Sequence, residues 1–365
     1  MKTSDFIYNL PQELIAQKPL DQRDSSRLMV LHRDTDLIED RQFQDVSSYF
    51  REGDIIIAND SRVIPARIYG HKYKTGGRIE FLLLSQIDST HWVAMGKGKK
   101  LTPGVEIVLH DRHGNDTAIV AAISKVLDGP LREIEFNVPT TTFLDKVGIT
   151  PLPPYIEGQL DNPERYQTVF SNIEGSAAAP TAGLHFTKEL ISTLASKGVL
   201  FDTCTLHVGL DTFKPLAVED VEDHLIHSEW ISLTKETAQR INEAKSKGGR
   251  VIAVGTTTAR VLETVGLRSN GISGSLQNIS HEDSLNRIAE TTELAGYEGF
   301  TDLFIYPGYK FNTVDALLTN FHLPQSSLML MISAFAEAKQ IKMAYQKAIA
   351  LKYRFLSLGD AMLIL

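Results

Sequence analysis

The chain has 365 residues, 42% of them hydrophobic, and a formal net charge of −8. A chain of that length buries a large core without disulfides or metal. Its single cysteine, Cys204, excludes an internal disulfide and fits a reducing compartment. The first residues, MKTSDFIYNLPQELIAQ, lack the basic-then-apolar pattern of a signal peptide. The longest apolar stretch, LMLMISAFA at 328–336, is far short of the ~20 residues of a membrane span. A cytoplasmic protein is expected, and one whose net charge alone argues against non-specific nucleic-acid binding.

In chain order, residues 54–59, DIIIAN, read as a buried strand. From 66 to 138 short β-rich runs follow one another: ARIYGHK, RIEFLLLSQ, HWVAMGKG, VEIVLH, AIVAAISKV and REIEFNV. The turn signals KTGGR, KKLTPG, DRHGN and DGP separate them. About six strands at this spacing predict a small barrel or sandwich. Proline-bearing segments, NDSRVIPAR and TPLPPYIEG, bracket the stretch with extended backbone. The organisation expected is therefore a discontinuous α/β domain, 1–65 and 139–365, with an inserted β-barrel domain at 66–138. The insert carries 10 Lys/Arg against 8 Asp/Glu, a net of +2, which leaves −10 for the rest. Arg67, Lys72, Lys74, Arg78, Lys97, Lys99 and Lys100 crowd its first half, opposed there by Glu80 and Asp88. A basic face on an acidic protein suits a polyanion. A solvated turn that protects strand edges has the same composition.

Further on, the pattern predicts a helix over 188–197 capped by Thr187, a turn at Gly198 and a strand in VLFDTCTLHV, where Cys204 reads as a buried, inert thiol. An amphipathic helix over 235–247 capped by Thr234 follows, then a strand at 250–254 and a helix over 258–265. Residues 270–290 read as a polar surface excursion, and 335–352 as one helix.

Four segments carry chemistry. In RVIAVGTTTAR a buried strand runs through Gly255 into a helix whose first amides lack intrahelical partners. Gly255 lets a ligand approach the backbone, and Thr256, Thr257 and Thr258 add hydroxyls, a setting for a carboxylate or phosphate. Simple threonine capping is the alternative. The segment is neither a Walker loop nor GxGxxG. In GSAAAPTAGLHFT, at 175–187, small residues bring backbone close to something, and Thr181 and His185 are the polar side chains. His185, between Leu184 and Phe186, also reads as a core histidine. LHVGLDTFKP supplies His207, and DHLIHSEW supplies His224, His227 and Glu229. His224 and His227 at i, i+3 would share one helical face, and histidine is the usual acid/base near neutral pH. With no HExxH and no cysteine pair, no metal is expected. No GxSxG nucleophile occurs either. In FIYPGYKFNTVDALLTNFHLPQ, Tyr306 and Tyr309 flank a Pro-Gly turn suited to stacking on a flat base, or to core packing with a surface hydroxyl. Asn320 and His322 lie just before Pro324.

Together with DFIYNLPQELIAQ, RDSSRLMVL, ANDSRVIPARIYG, TPLPPYI, ERYQTVF, HSEW, VGTTTARVLE, FTDLFIYPGYKF, DALLTNFHLP and YRFLSLGDAMLI, these segments span almost the whole chain. In this order they resemble the S-adenosylmethionine:tRNA ribosyltransferase-isomerase family of queuosine biosynthesis. Two positions depart from the pattern: Asp211 stands where Gly is usual, and Gln325 where Lys is common. The resemblance implies a large mixed α/β domain with a small inserted β-barrel. It implies that the ribosyl part of S-adenosylmethionine moves to the aminomethyl group of a 7-deazaguanine at the tRNA wobble position. Epoxyqueuosine-tRNA forms, and adenine and methionine leave. S-adenosylmethionine is then a consumed co-substrate, with no cofactor bound permanently. Such a reaction needs a base for the C5′ proton beside the sulfonium, a donor for departing adenine, a clamp for the methionine carboxylate and exclusion of water.

On this reading residues 255–258 hold the carboxylate, and Arg260 also binds substrate. His185 and His207 do acid/base work, with His224, His227 and Glu229 as second candidates. Thr181, Gly183, Asn320 and His322 complete the substrate pocket, and Tyr306 and Tyr309 stack on a base. Lys72, Lys74, Arg78, Lys97, Lys99 and Lys100 face tRNA phosphates. A monomer is the default. The rival readings are a methyltransferase releasing S-adenosylhomocysteine and a non-catalytic RNA-binding module.

Overall fold

The computed structural model describes residues 1–209, 216–277, 279 and 293–365. Near-continuous apolar runs make strands that are buried on both faces. Ile55–Asn59, Val251–Val254, Ala316–Asn320 and Ala361–Ile364 are buried along their whole length. They form the middle of a nine-stranded mixed sheet. Its order is Tyr297–Thr301, Glu229–Leu233, Leu200–Leu206, Ile55–Asn59, Val251–Val254, Ala316–Asn320, Ala361–Ile364, Arg27–Leu31 and Ile38–Gln42. Leu200–Leu206, Ile55–Asn59, Val251–Val254 and Ala316–Asn320 run parallel to one another, so their carboxyl ends share one edge. Ala361–Ile364 enters antiparallel beside Ala316–Asn320. The outermost strand Ile38–Gln42, IEDRQ, is charged and mostly exposed, which blunts that edge against further pairing.

The helix Lys188–Ser196 begins where Thr187 accepts a hydrogen bond from the Leu190 amide, and Lys235–Ser246 where Thr234 accepts from Thr237. Leu190 and Leu194 of the first helix pack with Phe43, Phe186, Ile56 and Leu318 against the sheet. Thr256–Ser269 starts two residues earlier than its apolar period suggests, because Gly255, at φ +89°, turns the chain directly from strand into helix. The helix expected over 335–352 is Ala338–Ala350, and a further helix, Ser327–Phe335, precedes it. Both starts have caps that the continuous apolar run hid. The Ser326 hydroxyl accepts from the Met329 amide, and the Gln340 side chain accepts from the Glu337 amide. Cys204 is free and buried, and burial pushes its thiol well above the usual range. Of the polar stretch at 270–290, residues 278 and 280–290 lie outside the described residues, as does Asp211. Gln325 takes a left-handed conformation, φ +52°, and its backbone ties the chain to Phe6 and Leu216.

The chain divides into two compact units. One comprises Met1–Ser61, Pro153–Ile173 and Ala179–Leu365 and holds the nine-stranded sheet. The other comprises Arg62–Leu152 with Glu174–Ala178. Within it Arg67–Lys72, Arg78–Gln86, His91–Lys97, Glu106–His110, Asp116–Val126 and Leu131–Phe136 close into an antiparallel barrel. Closure leaves no open edge. Alternate residues such as Ile68, Phe81, Leu83, Ala94, Ile107 and Ile134 fill the interior. No helix among the described residues is long and apolar enough to cross a membrane.

Candidate active site

Open parallel sheets bind ligands beyond the carboxyl ends of their strands, and a pocket lies there. It encloses about 630 Å³ including its open mouth, within the ~300–1,000 Å³ of small-molecule sites. No Asp, Glu, Lys or Arg lines it among the described residues.

One wall is the start of Thr256–Ser269. The Gly255 amide donates to the Leu318 carbonyl at 2.7 Å, which fixes the turn, and Gly255 offers no side-chain cap. The following amides therefore have no intrahelical acceptor. Thr256 and Thr257 line the pocket, and the Thr257 hydroxyl accepts from Asn59 Nδ2 at 3.5 Å. Thr258 does not line it. Its hydroxyl donates back to the Val254 carbonyl at 2.7 Å and is wholly buried. Asn59, which ends an otherwise apolar strand, also donates to the Leu206 carbonyl and accepts from the Leu206 amide, joining two strand ends.

A second wall comes from the turn Thr181–His185 and the strand Ala316–Asn320. The Thr181 hydroxyl donates to Asn320 Oδ1 at 2.8 Å, and Asn320 Nδ2 donates to His185 Nε2 at 3.2 Å. The His185 proton then sits on Nδ1 and is donated to Ser26 Oγ at 2.8 Å. The ring stacks on Phe43, centroids 4.9 Å apart, and burial pushes its pKa down to about 4. His185 is thus a neutral imidazole with both nitrogens engaged, standing behind the wall and holding Asn320 and Thr181 in it. Gly183 serves packing, since a Cβ there would lie 2.8 Å from Phe170 and 2.9 Å from Thr168.

His185→Ala opens a cavity and orphans Asn320 and Ser26, an expected loss of roughly 2–4 kcal/mol in denaturant unfolding. The folded pKa lies below the unfolded ~6.5. The ring's stabilising contribution is therefore full above that value and lost as pH falls through about 4. Acid unfolding of the variant should be correspondingly less steep.

The imidazole that lines the pocket is His322. Its Nε2 lies 2.8 Å from the Thr319 hydroxyl. Its amide donates to Tyr345 Oη at 2.8 Å, while its carbonyl accepts from Tyr8 Oη at 2.5 Å. Burial pushes the ring down to about 3. Tyr155 and Ser357 face the same space and share a hydrogen bond of 2.6 Å. Burial pushes the Tyr155 hydroxyl up to about 12.

The remaining expected residues are not brought to this pocket. His207 stacks on Trp230, centroids 5.0 Å apart, one residue before the pocket-lining Val208. Among the described residues its Nδ1 is buried without a partner, and burial pushes the ring down. His224 and His227 share no helical face. The segment leaves the short turn Val221–Asp223 and enters the strand Glu229–Leu233, with too little apolar period to make a helix. His224 packs edge-on against Phe304 at 5.1 Å, and His227 is exposed.

Glu229 is a buried ion-pair partner of Arg260. Arg260 donates also to the carbonyls of Leu303, Thr301 and His227, so its fork is spent on structure. Burial raises the Glu229 carboxyl and the guanidinium opposes it; with only acceptors around Arg260, the pair is an ionic one. Glu229 Oε1 accepts the Gly209 amide at 2.8 Å, beside the pocket wall. Tyr309 donates to the buried Glu263 at 3.0 Å, and Tyr306 packs on Phe304 at 5.2 Å. In the barrel, His71 Nδ1 and His110 Nε2 lie 2.9 Å apart, with Asp116 Oδ1 3.5 Å and 3.4 Å from them, a cluster whose spacing in sequence conceals it.

Residues 3–364 match the family model described as queuosine biosynthesis protein. The chain is 49% identical to a protein of Acetivibrio thermocellus named S-adenosylmethionine:tRNA ribosyltransferase-isomerase, over the whole of both chains. It is 48% identical to one of the same name from Symbiobacterium thermophilum, again over the whole of both. A solved structure, S-adenosylmethionine tRNA ribosyltransferase from Thermotoga maritima, is 36% identical, with a TM-score of 0.53 covering 99% of this chain and 100% of that one. The chain belongs to the queuosine biosynthesis protein family.

Proposed function

We propose that the protein transfers and isomerises the ribosyl part of S-adenosylmethionine onto 7-aminomethyl-7-deazaguanine at the tRNA wobble position, giving epoxyqueuosine-tRNA and releasing adenine and methionine. The name carried by its full-length relatives supports this. The observation that carries the reading of the site is an uncharged pocket presenting an uncapped helix N-terminus and one neutral imidazole.

The amides of 256–258 and the Thr257 hydroxyl hold the methionine carboxylate. The absence of cations from the described wall spares the sulfonium from repulsion. His322 takes the C5′ proton. With Thr319 bound at Nε2, Nδ1 is the nitrogen left for the substrate. Tyr155, protonated at neutral pH, and Ser357 donate to adenine as it leaves. Thr181 and Asn320, fixed by His185, orient the ribose. His185 acts through Asn320, so turnover per folded molecule should survive its loss far better than the loss of His322. The protein works as a cytoplasmic monomer with no permanent cofactor.

The α/β unit supplies the chemistry, and the barrel's basic face binds tRNA phosphates. Lys74, Arg78, Lys97, Lys99 and Lys100 are exposed. Lys72 donates to the carbonyls of Lys99 and Lys100, at 2.5 Å and 2.9 Å, and so also shapes the turn that presents them. Changing Lys97, Lys99 and Lys100 to Ala is expected to weaken tRNA binding and reduce its salt slope by about three. Unchanged affinity across a salt titration would remove the barrel from tRNA binding.

Product analysis tests the reaction. With S-adenosylmethionine and tRNA bearing the aminomethyl-deazaguanine, free adenine and methionine are expected. A methyltransferase would release S-adenosylhomocysteine instead, and a binding module would release neither.

A further inference from the structure

Beside the pocket lies a second, smaller recess that the mechanism above does not use. It encloses about 330 Å³ with its mouth and shares Ser357 with the pocket. Three arginines line it, Arg23, Arg165 and Arg354, together with Ser26 and His185. The three arginines come from distant parts of the chain, in RDSSR, ERYQT and YRFLS.

Arginines brought together usually come with carboxylates. Here none of the three forms an ion pair with a carboxylate among the described residues. Main-chain carbonyls hold them instead. Arg23 donates to Leu184 and Glu164 at 3.1 Å each. Arg165 donates to Asp21 at 2.7 Å and to Leu20, and Arg354 to Lys18. Carbonyls fix the orientation of a guanidinium without cancelling its charge. Among the described residues the Arg165 Nε and Arg354 Nη1 groups are moreover buried with no hydrogen-bond partner. An unmet buried donor is destabilising, and donors in this state call for a ligand that meets them.

We propose that this recess binds one phosphodiester of the tRNA next to the wobble nucleotide. The proposal rests on the reaction read above. Asp360 lies close to Arg354 and Glu164 close to Arg23, yet neither is an ion-pair partner; three planar forks with no carboxylate bound to them suit a tetrahedral anion better than the single carboxylate of methionine. That carboxylate already has the helix N-terminus in the neighbouring pocket. A base entering the pocket brings its flanking phosphates to the pocket's rim, where Ser357 joins the two cavities. Through Ser26 and His185 the recess also touches the hydrogen bonds that hold Asn320. A seated phosphate therefore bears on the side chains that orient the ribose.

The test uses the full-length protein and anticodon stem–loop RNAs in which one linkage at a time is a neutral methylphosphonate. One linkage flanking the wobble nucleotide is expected to weaken wild-type binding about tenfold or more when neutralised. In Arg165→Gln the same replacement should have little further effect, so the two changes are coupled. The salt slope should fall by about one in the variant, while KM for S-adenosylmethionine stays unchanged. Arg23→Gln provides the second variant should Arg165→Gln unfold, and Arg165→Lys should restore part of the affinity. Equal weakening in wild type and both variants, or a raised KM for S-adenosylmethionine with RNA binding intact, would overturn the proposal. RNA binding is read without turnover. Coupling without adenine release would thus spare the recess and sink the reaction, and adenine release without coupling would do the reverse.

Discussion

His322→Ala is expected to lower turnover by about 10²–10⁴-fold, the range lost with a positioned acid or base. Among the described residues His322 brings the one imidazole into the pocket wall, and its placement is over-determined. Thr319 holds its Nε2, and tyrosines 345 and 8 hold its amide and carbonyl. The backbone should therefore stay put when the ring is removed, and KM for S-adenosylmethionine should change much less than kcat. Turnover per folded molecule, with thermal unfolding as the control, checks this. The pH profile adds a second reading. With its pKa pushed down to about 3, the ring is neutral at every pH where the protein is assayed. It should produce no acid limb near the ordinary imidazole value of ~6.5. Thr319→Val frees the ring to rotate and should lower kcat by a smaller factor without altering that profile. Wild-type turnover in His322→Ala would remove His322 from the chemistry.

The largest expected effect on stability is at Glu229. Glu229→Ala leaves the Arg260 guanidinium buried and uncompensated, an expected loss of about 3–5 kcal/mol in urea unfolding. Replacing both partners with apolar residues of similar volume, Glu229→Leu with Arg260→Met, should recover much of that loss, because no charge is then stranded. The single variant also frees the Gly209 amide, one residue from Val208 in the pocket wall. A modest rise in KM should accompany the lost stability. Equal destabilisation of single and double variants would mean that packing, and not the stranded charge, sets the cost.

The barrel was legible because each strand alternates and each turn is marked. RIEFLLLSQ carries most of its burial pattern in its own letters, with Ile79, Phe81, Leu82 and Leu83 buried and the polar ends exposed. The helix starts at Thr187 and Thr234 were legible for the same local reason. What was hidden depends on residues far apart. His185 and His322 have the same local signature, an imidazole among apolar neighbours. Only the packing of a turn against a strand end decides which faces the pocket and which stands behind it. Likewise three consecutive threonines look equivalent until the helix is seen to begin at Thr256, which turns Thr258 back onto Val254. Glu229 and Arg260 are 31 residues apart, and nothing local tells a buried ion pair from two catalytic candidates. Asn59 did leave a signal, a polar residue ending an apolar strand at the edge where ligands bind.

One measurement tests the central claim most directly. S-adenosylmethionine carrying two deuterons at C5′ is incubated with the protein and the aminomethyl-deazaguanine tRNA, and all products are weighed by mass spectrometry. The pocket chemistry predicts one adenine released for each tRNA that gains the ribosyl group, with one of the two deuterons lost to water. Formation of S-adenosylhomocysteine in place of adenine, or a ribosylated tRNA that keeps both deuterons, would contradict it.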